Sequence, residues 1–411
     1  MHRFSTVVLL GTLTLAIGCG GGSNTPAMNK IATPTQNVQA ITVDGGPPAF
    51  VTANGAPYVD GAFVTITVCA PGSTTSCNTI DHILVDTGSY GLRVLSSLSG
   101  GELAVTLPAT SISGTPLGEC VQFADTSFLW GPVETADIKI AGEQASSVPV
   151  NVVGDTTFAT VPSSCNTGGP DDDTLNTLGA NGILGLGPFP QDCGPGCASG
   201  IPPSGMYYQC PTSGCVPSLV SVPLQVQNPI SLFAADNNGV IVELPTPSGP
   251  QATLSGSLVF GIGTQSNNAL GGATVLTLDS NGNFTTTVSG ISGAMSQSFI
   301  DSGSNALFFD DNNLASCQTN TFFYCPLTPA SLTATNSSSN GASTNVSFSV
   351  ANADSIFNSF PNDAVIPGLA GPSNTGGASF DWGLPFFYGR NVFTSIAGTT
   401  APGGQTPYWA Y

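Results

Sequence analysis

The sequence predicts an all-β chain folded as two lobes, and three observations carry that expectation. Short apolar or alternating runs recur between clusters of Gly, Pro, Asn and Ser, the pattern of strands joined by tight turns. No long segment shows the three- and four-residue apolar spacing of a helix. The 411 residues exceed one ordinary core, and a short segment near residue 86 is echoed near residue 301.

The elements follow in chain order. Met1-His2-Arg3 is weakly basic, and Phe4–Ile17 is an apolar run too short to anchor across a bilayer. It ends in Leu15-Ala16-Ile17-Gly18-Cys19, which resembles a bacterial lipoprotein signal. The resemblance implies a signal peptide over 1–18, a lipid on Cys19, and export to the cell envelope, in the outer membrane of a Gram-negative cell. The membrane would then be touched only through that lipid. A plain secretory signal is the alternative. Residues 19–45, rich in Gly, Ser, Thr, Pro and Asn, read as a flexible tether.

An N-terminal β lobe is expected over 46–235, with strands at Ala62–Cys69, His82–Val85, Ala136–Ile140 and Val148–Val153. A C-terminal β lobe is expected over 236–411, with strands at Val240–Leu244, Ser257–Phe260, Val275–Leu278 and Phe284–Val288. Cys193–Pro217 reads as a loop, and the Ser/Asn-rich Asn336–Asn345 as a surface loop.

Composition narrows the chemistry. With 5 basic against 24 acidic residues the net charge is −19, so no nucleic-acid partner is expected, because phosphate binding needs a Lys/Arg surface. The two His are His2, inside the expected signal, and His82, so a zinc site built on several imidazoles cannot be assembled. Lys30 and Lys139 are the only lysines, which disfavours Ser–Lys and Schiff-base chemistry. No metal and no cofactor is expected. Carboxylates remain as the carriers of any catalysis. Of eleven Cys, ten follow Cys19, an even number suited to disulfides in an oxidising compartment. Cys69/Cys77 and Cys317/Cys325 flank turn-like stretches and each pair suits a short loop. Pairing among Cys120, Cys165, Cys193, Cys197, Cys210 and Cys215 stays open.

The echoed segment carries the functional reading. His82-Ile83-Leu84-Val85-Asp86-Thr87-Gly88-Ser89 is matched by Gln297-Ser298-Phe299-Ile300-Asp301-Ser302-Gly303-Ser304. In each, an apolar strand runs into Asp, a hydroxyl residue, Gly and Ser. If the two loops meet between lobes, Asp86 and Asp301 cannot both ionise comfortably and share a proton. One then takes a proton from water while the other donates toward a carbonyl oxygen. Thr87 and Ser302 suit bracing one loop against the other; Ser89 and Ser304 suit orienting the carboxylates.

These motifs resemble those of the pepsin-like aspartic peptidases, which have two β-barrel-like lobes and a cleft between them. Further pieces follow in the family's order. Asn181-Gly182-Ile183-Leu184-Gly185-Leu186-Gly187 looks like the segment threading behind the first catalytic loop. Asn228–Phe233 looks like the strand leaving the first lobe, and Gly256–Gly263 like the hairpin opening the second. Trp382-Gly383-Leu384-Pro385-Phe386-Phe387 resembles the second threading segment, followed by a closing strand around Asn391–Ile396. The chain also resembles a group of uncharacterised bacterial secreted proteins marked by the Asn181-Gly182-Ile183 triplet.

The resemblance implies an exported aspartic endopeptidase with Asp86 and Asp301 catalytic, acting on a peptide or protein. Two departures stand out. Where the family carries a Trp seven residues after the first Asp, this chain has Arg93, and the expected flap near 121–131 has no Tyr. Phe123, Phe128 and Trp130 remain as flap residues, with Arg93 as a cleft residue or the partner of a nearby acid. These departures support the alternative of a non-catalytic surface protein that binds peptide in the same cleft.

Overall fold

The structure is a computed structural model, and it describes residues 31–33, 35–166, 168–200 and 205–411. The expected signal peptide, Cys19 and the first part of the expected tether, through residue 30, lie outside the described residues.

The N-terminal lobe is a closed barrel. Strands Gly61–Cys69, Cys77–Asp86, Gly182–Leu186, Tyr90–Leu95, Glu143–Val153 and Phe128–Ile140 pair in that order. The ring closes where Thr67–Cys69 meets Asp137–Lys139. Alternation in these strands turns Ile66, Val68, Ile83, Val85, Leu92, Val94, Ile138 and Val150 into one buried core. Each such side chain is worth about 1.5–3 kcal/mol when fully buried.

Val38–Asp44 joins the two lobes. One edge pairs with Leu254–Val259 and the other, through Thr42–Asp44, with Gly61–Phe63. This corrects the tether expected to reach residue 45: Ile41 and Val43 are fully buried, so the ordered sheet begins at Val38. The same sheet continues into the C-terminal lobe through Gly239–Leu244, Arg390–Ser395, Tyr408–Ala410 and Val275–Thr277.

A second sheet of seven strands completes that lobe, in the order Ser343–Val350, Ala330–Ser337, Phe284–Val288, Met295–Ile300, Asp381–Trp382, Leu307–Phe308, Ala370–Gly371. Its core is aromatic: Phe380 stacks on Trp382 at 3.8 Å and on Phe309 at 4.7 Å between ring centroids.

Three local expectations change. Asn228–Phe233 contains a short 3₁₀ turn, Pro229–Leu232, because Asn228 caps Ile230 N–H and Pro229 starts the turn. Asn336–Asn345 spans a hairpin tip and the ends of its strands, held by register from Ala330↔Val350 to Ser337↔Ser343. The Cys193–Pro217 stretch contains the buried strand Tyr207–Gln209, which adds to the edge of Thr115–Gln122.

Disulfides join Cys69–Cys77, Cys120–Cys165, Cys193–Cys197, Cys210–Cys215 and Cys317–Cys325. They use all ten Cys after Cys19, as suits an exported protein in an oxidising compartment.

A buried acid also links the lobes. Asp60 is fully buried; its N–H donates to Ala364 O at 2.7 Å, and its Oδ1 accepts from Ile366 N–H and the Tyr388 hydroxyl. Its Oδ2 has no partner. Burial pushes the Asp60 carboxyl well above the usual carboxylate range, against the lowering effect of those two hydrogen bonds. A raised folded-state value means the native protein holds a proton the unfolded chain releases, so this contribution is full at acidic pH and is lost as pH rises. Asp60→Asn removes that dependence. The variant is expected to match the native protein near pH 4 and to exceed it in denaturation midpoint near pH 8. A difference independent of pH would refute the assignment.

Candidate active site

The two Asp loops are built alike. In the first lobe Gly182–Gly185 runs parallel to Ile83–Asp86 and antiparallel to Gly91–Val94, so a third strand threads between the arms of the loop. In the second, Asp381–Trp382 runs parallel to Phe299–Ile300 and antiparallel to Leu307–Phe308. Each loop therefore leaves a buried strand with its path set on both sides, and its Asp projects from a rigid base.

The loops are locked to each other by hydroxyls. Thr87 Oγ1 donates to Ile300 O at 3.0 Å and accepts from Ser302 N–H at 3.0 Å. Reciprocally, Ser302 Oγ donates to Val85 O at 2.6 Å and accepts from Thr87 N–H at 3.2 Å. Both side chains are fully buried. Every donor and acceptor in this exchange is used, so the two lobes meet in one register.

That register brings the carboxyls together. Asp86 Oδ1 accepts from Gly88 N–H at 2.8 Å and Ser89 N–H at 3.1 Å, and Ser89 Oγ donates to Asp86 Oδ2. Asp301 Oδ1 accepts from Gly303 N–H at 2.7 Å and, across the seam, from Gly88 N–H at 3.2 Å. Glycine is required at both loop tips: a Cβ on Gly88 would lie 2.5 Å from Asp301 Cγ, and one on Gly303 would lie 2.7 Å from Asp86 Cγ. Gly88 is exposed and Asp301 half-buried, so solvent reaches the pair.

Burial raises the Asp301 carboxyl well above its ordinary range, and the charge of Asp86 adds to the shift. The protonated form is thereby favoured on Asp301. Around the pair stand three groups that sequence reasoning did not single out as site residues. Ser304 Oγ lies 2.9 Å from Asp301 Oδ2 and 2.6 Å from Asp381 Oδ2, which brings a third carboxyl to the site. Tyr58 and Tyr90 both have hydroxyls shifted upward, first by burial and then by the charges of Asp86 and Asp301. Tyr90 adjoins Ser89 and was findable by adjacency. Tyr58 precedes the first barrel strand and carries no local signal.

The flap residues separate by face. Thr115–Gln122 and Phe128–Ile140 form a hairpin in which Cys120 opposes Trp130 and Val121 opposes Leu129. Phe123 is half-buried and packs with Phe63, Leu84, Val121 and Leu129, in the cluster that also receives Tyr58. Phe128 and Trp130 point to the opposite face, against the Cys120–Cys165 bridge and Tyr208, with Trp130 Nε1–H donating to Phe158 O. Both are buried there, which corrects the expectation that they cap a cleft.

Arg93 takes the second of its two expected roles, as the partner of nearby acids. It is buried, and its guanidinium bonds Glu119 at 2.7 Å, Asp192 at 3.2 Å and Tyr90 O at 2.7 Å. Two carboxylates in the lobe interior hold it, so it is not a cleft residue.

The reciprocal Asp loops, each threaded by a parallel strand and joined by one shared sheet, form a bilobal pepsin-like arrangement of β lobes. A solved structure similar to this chain is the aspartic proteinase from Irpex lacteus, at 14% identity and a TM-score of 0.49, covering 90% of this chain and 96% of that one. No curated protein matches the chain. Residues 33–411 match the family described as "Protein of unknown function (DUF3443)". The chain belongs to the DUF3443 family.

Proposed function

We propose that this protein is an aspartic endopeptidase in which Asp86 and Asp301 share one proton and activate a water molecule. The observation that supports it is the close approach of the two carboxyls, each cradled by its own loop's N–H groups, with Gly88 N–H also reaching Asp301. Asp86, served by two N–H groups and the Ser89 hydroxyl, is the carboxylate. Asp301, with its raised pKa, is the acid. Asp86 takes a proton from water as its oxygen attacks the peptide carbonyl carbon, and Asp301 gives its proton to the carbonyl oxygen. The tetrahedral species collapses when the C–N bond breaks and the leaving nitrogen takes the proton held by Asp86. The proton released from the new hydroxyl returns to Asp301.

The cellular setting is part of the same proposal: export under the 1–18 signal and retention in the envelope through a lipid on Cys19. A peptide-binding protein without catalysis is the second reading. It is favoured by Arg93, which is locked in an internal ion pair, and by a hairpin that carries no Tyr. Purified protein in detergent, incubated with a denatured protein mixture from pH 3 to 8, separates the two. Cleavage that is greatest at acidic pH and stopped by a statine-type inhibitor is expected. Saturable peptide binding with no cleavage at any pH would establish the second reading instead.

A further inference from the structure

Ser304 has one hydroxyl hydrogen, yet its oxygen stands within hydrogen-bond distance of two carboxyl oxygens, Asp301 Oδ2 at 2.9 Å and Asp381 Oδ2 at 2.6 Å. If both carboxyls were ionised, both would require the same hydrogen. One of them must therefore present an O–H to Ser304. Asp381 is the more enclosed of the two, buried with its Oδ1 lacking any partner.

Its place in the fold is specific to one lobe. Asp381 pairs with Phe299, two residues before Asp301; the matching position in the first lobe is Ile183, paired with Leu84 two residues before Asp86. The Asp-Trp-Gly segment thus adds a carboxyl where Ile-Leu-Gly supplies only apolar packing.

We propose that Asp381 is a positioning residue that shares protons with the Asp86–Asp301 pair through Ser304, making the site a system of three carboxyls. The Asp381 O–H donates to Ser304 Oγ while the Ser304 O–H donates to Asp301 Oδ2. Moving both hydrogens one step leaves Asp381 as carboxylate and Asp301 as acid, with total charge unchanged. The titratable groups acting on Asp381 are Asp86, through its charge, and Asp301 on the far side of Ser304; the flanking strands present Phe299 and Phe308. Burial is the first cause that pushes the Asp381 carboxyl up to about 8; Ser304 lowers it and Asp86 raises it. With a proton in reserve, the dyad keeps its own proton to higher pH than an isolated pair.

The catalytic consequence rests on the peptidase reading, so the test carries a readout that does not. Infrared pH titration of the protonated-carboxyl band is compared between native protein and Asp381→Asn, alongside kcat/KM against pH. A band lost near pH 8 in the native protein and missing from the variant is expected. The alkaline limb of kcat/KM is expected to move about one pH unit toward acid with KM unchanged. Identical infrared titrations overturn the proposal whether or not the protein cleaves peptides. An unmoved alkaline limb overturns it in a protein that does. Ser304→Ala keeps Asp381 but cuts the link, so the band should persist while the limb shifts as in Asp381→Asn; an unmoved limb there counts equally against it.

Discussion

Asp86→Asn and Asp301→Asn should each lower kcat for peptide cleavage by about 10²–10⁴-fold, the range associated with losing one positioned acid or base. An amide matches the carboxyl in shape but cannot exchange a proton at neutral or acidic pH. Asp86→Asn removes the acceptor of the water proton; Asp301→Asn removes the donor to the carbonyl oxygen. The Thr87–Ser302 exchange is untouched, because it runs through Ile300 O, Val85 O and the two hydroxyls. The fold and KM should therefore survive while turnover is lost. Steady-state kinetics with the native and variant proteins at their pH optima check this. Near-native turnover in either variant would remove the Asp pair from the mechanism.

Arg93→Leu should destabilise the protein by about 3–5 kcal/mol at pH 7, the cost of removing one partner from a buried ion pair. Among the described residues Arg93 is the only cation in its cluster, holding Glu119 from the hairpin and Asp192 from the segment after the threading strand. Tyr207 hydroxyl also donates to Asp192, at 2.7 Å, and accepts from Val226 N–H at 2.8 Å. Burial first, and the charge of Glu119 second, already push the Asp192 carboxyl well up, while Arg93 opposes the rise. Without the guanidinium, neither acid has a counter-charge. The sign in pH follows: two stranded carboxyls bind protons more tightly in the native state than in the unfolded one, so the deficit should shrink as pH falls toward 4. Denaturant midpoints at pH 7 and pH 4.5 measure both effects. A loss below about 1 kcal/mol at pH 7 would mean the interior admits water at this cluster.

Arg93 also ties these elements to the Asp86 loop, since it bonds Tyr90 O, four residues beyond Asp86. In the linear sequence it stands where the pepsin-like peptidases carry Trp, and it invited a reading as a cleft residue. Its partners lie 26 and 99 residues away. Nothing local in Leu92-Arg93-Val94 distinguishes a buried cation from an exposed one, because alternation assigns a face and not a partner.

The same limit explains the flap residues. Phe123, Phe128 and Trp130 are all apolar and lie within one hairpin, so composition treats them alike. Only the covering residues Phe158, Cys165 and Tyr208, from two separate segments, consign Phe128 and Trp130 to the back face. Asp381 shows the converse. It reads as an interruption in an apolar segment, and becomes a member of the site only when Ser304, 77 residues earlier, turns toward it.

What the sequence determined by itself is the all-β character, the run of strands, and the two Asp-centred loops with their hydroxyl and glycine neighbours. Those features are encoded locally, in alternation, turn residues and a repeated tetrad. What only the tertiary structure decided is how closely Asp86 and Asp301 approach, that Asp381 reaches Ser304, and where Arg93 is neutralised. These depend on desolvation and on charges brought close by folding, and both arise from distances between groups that lie far apart along the chain.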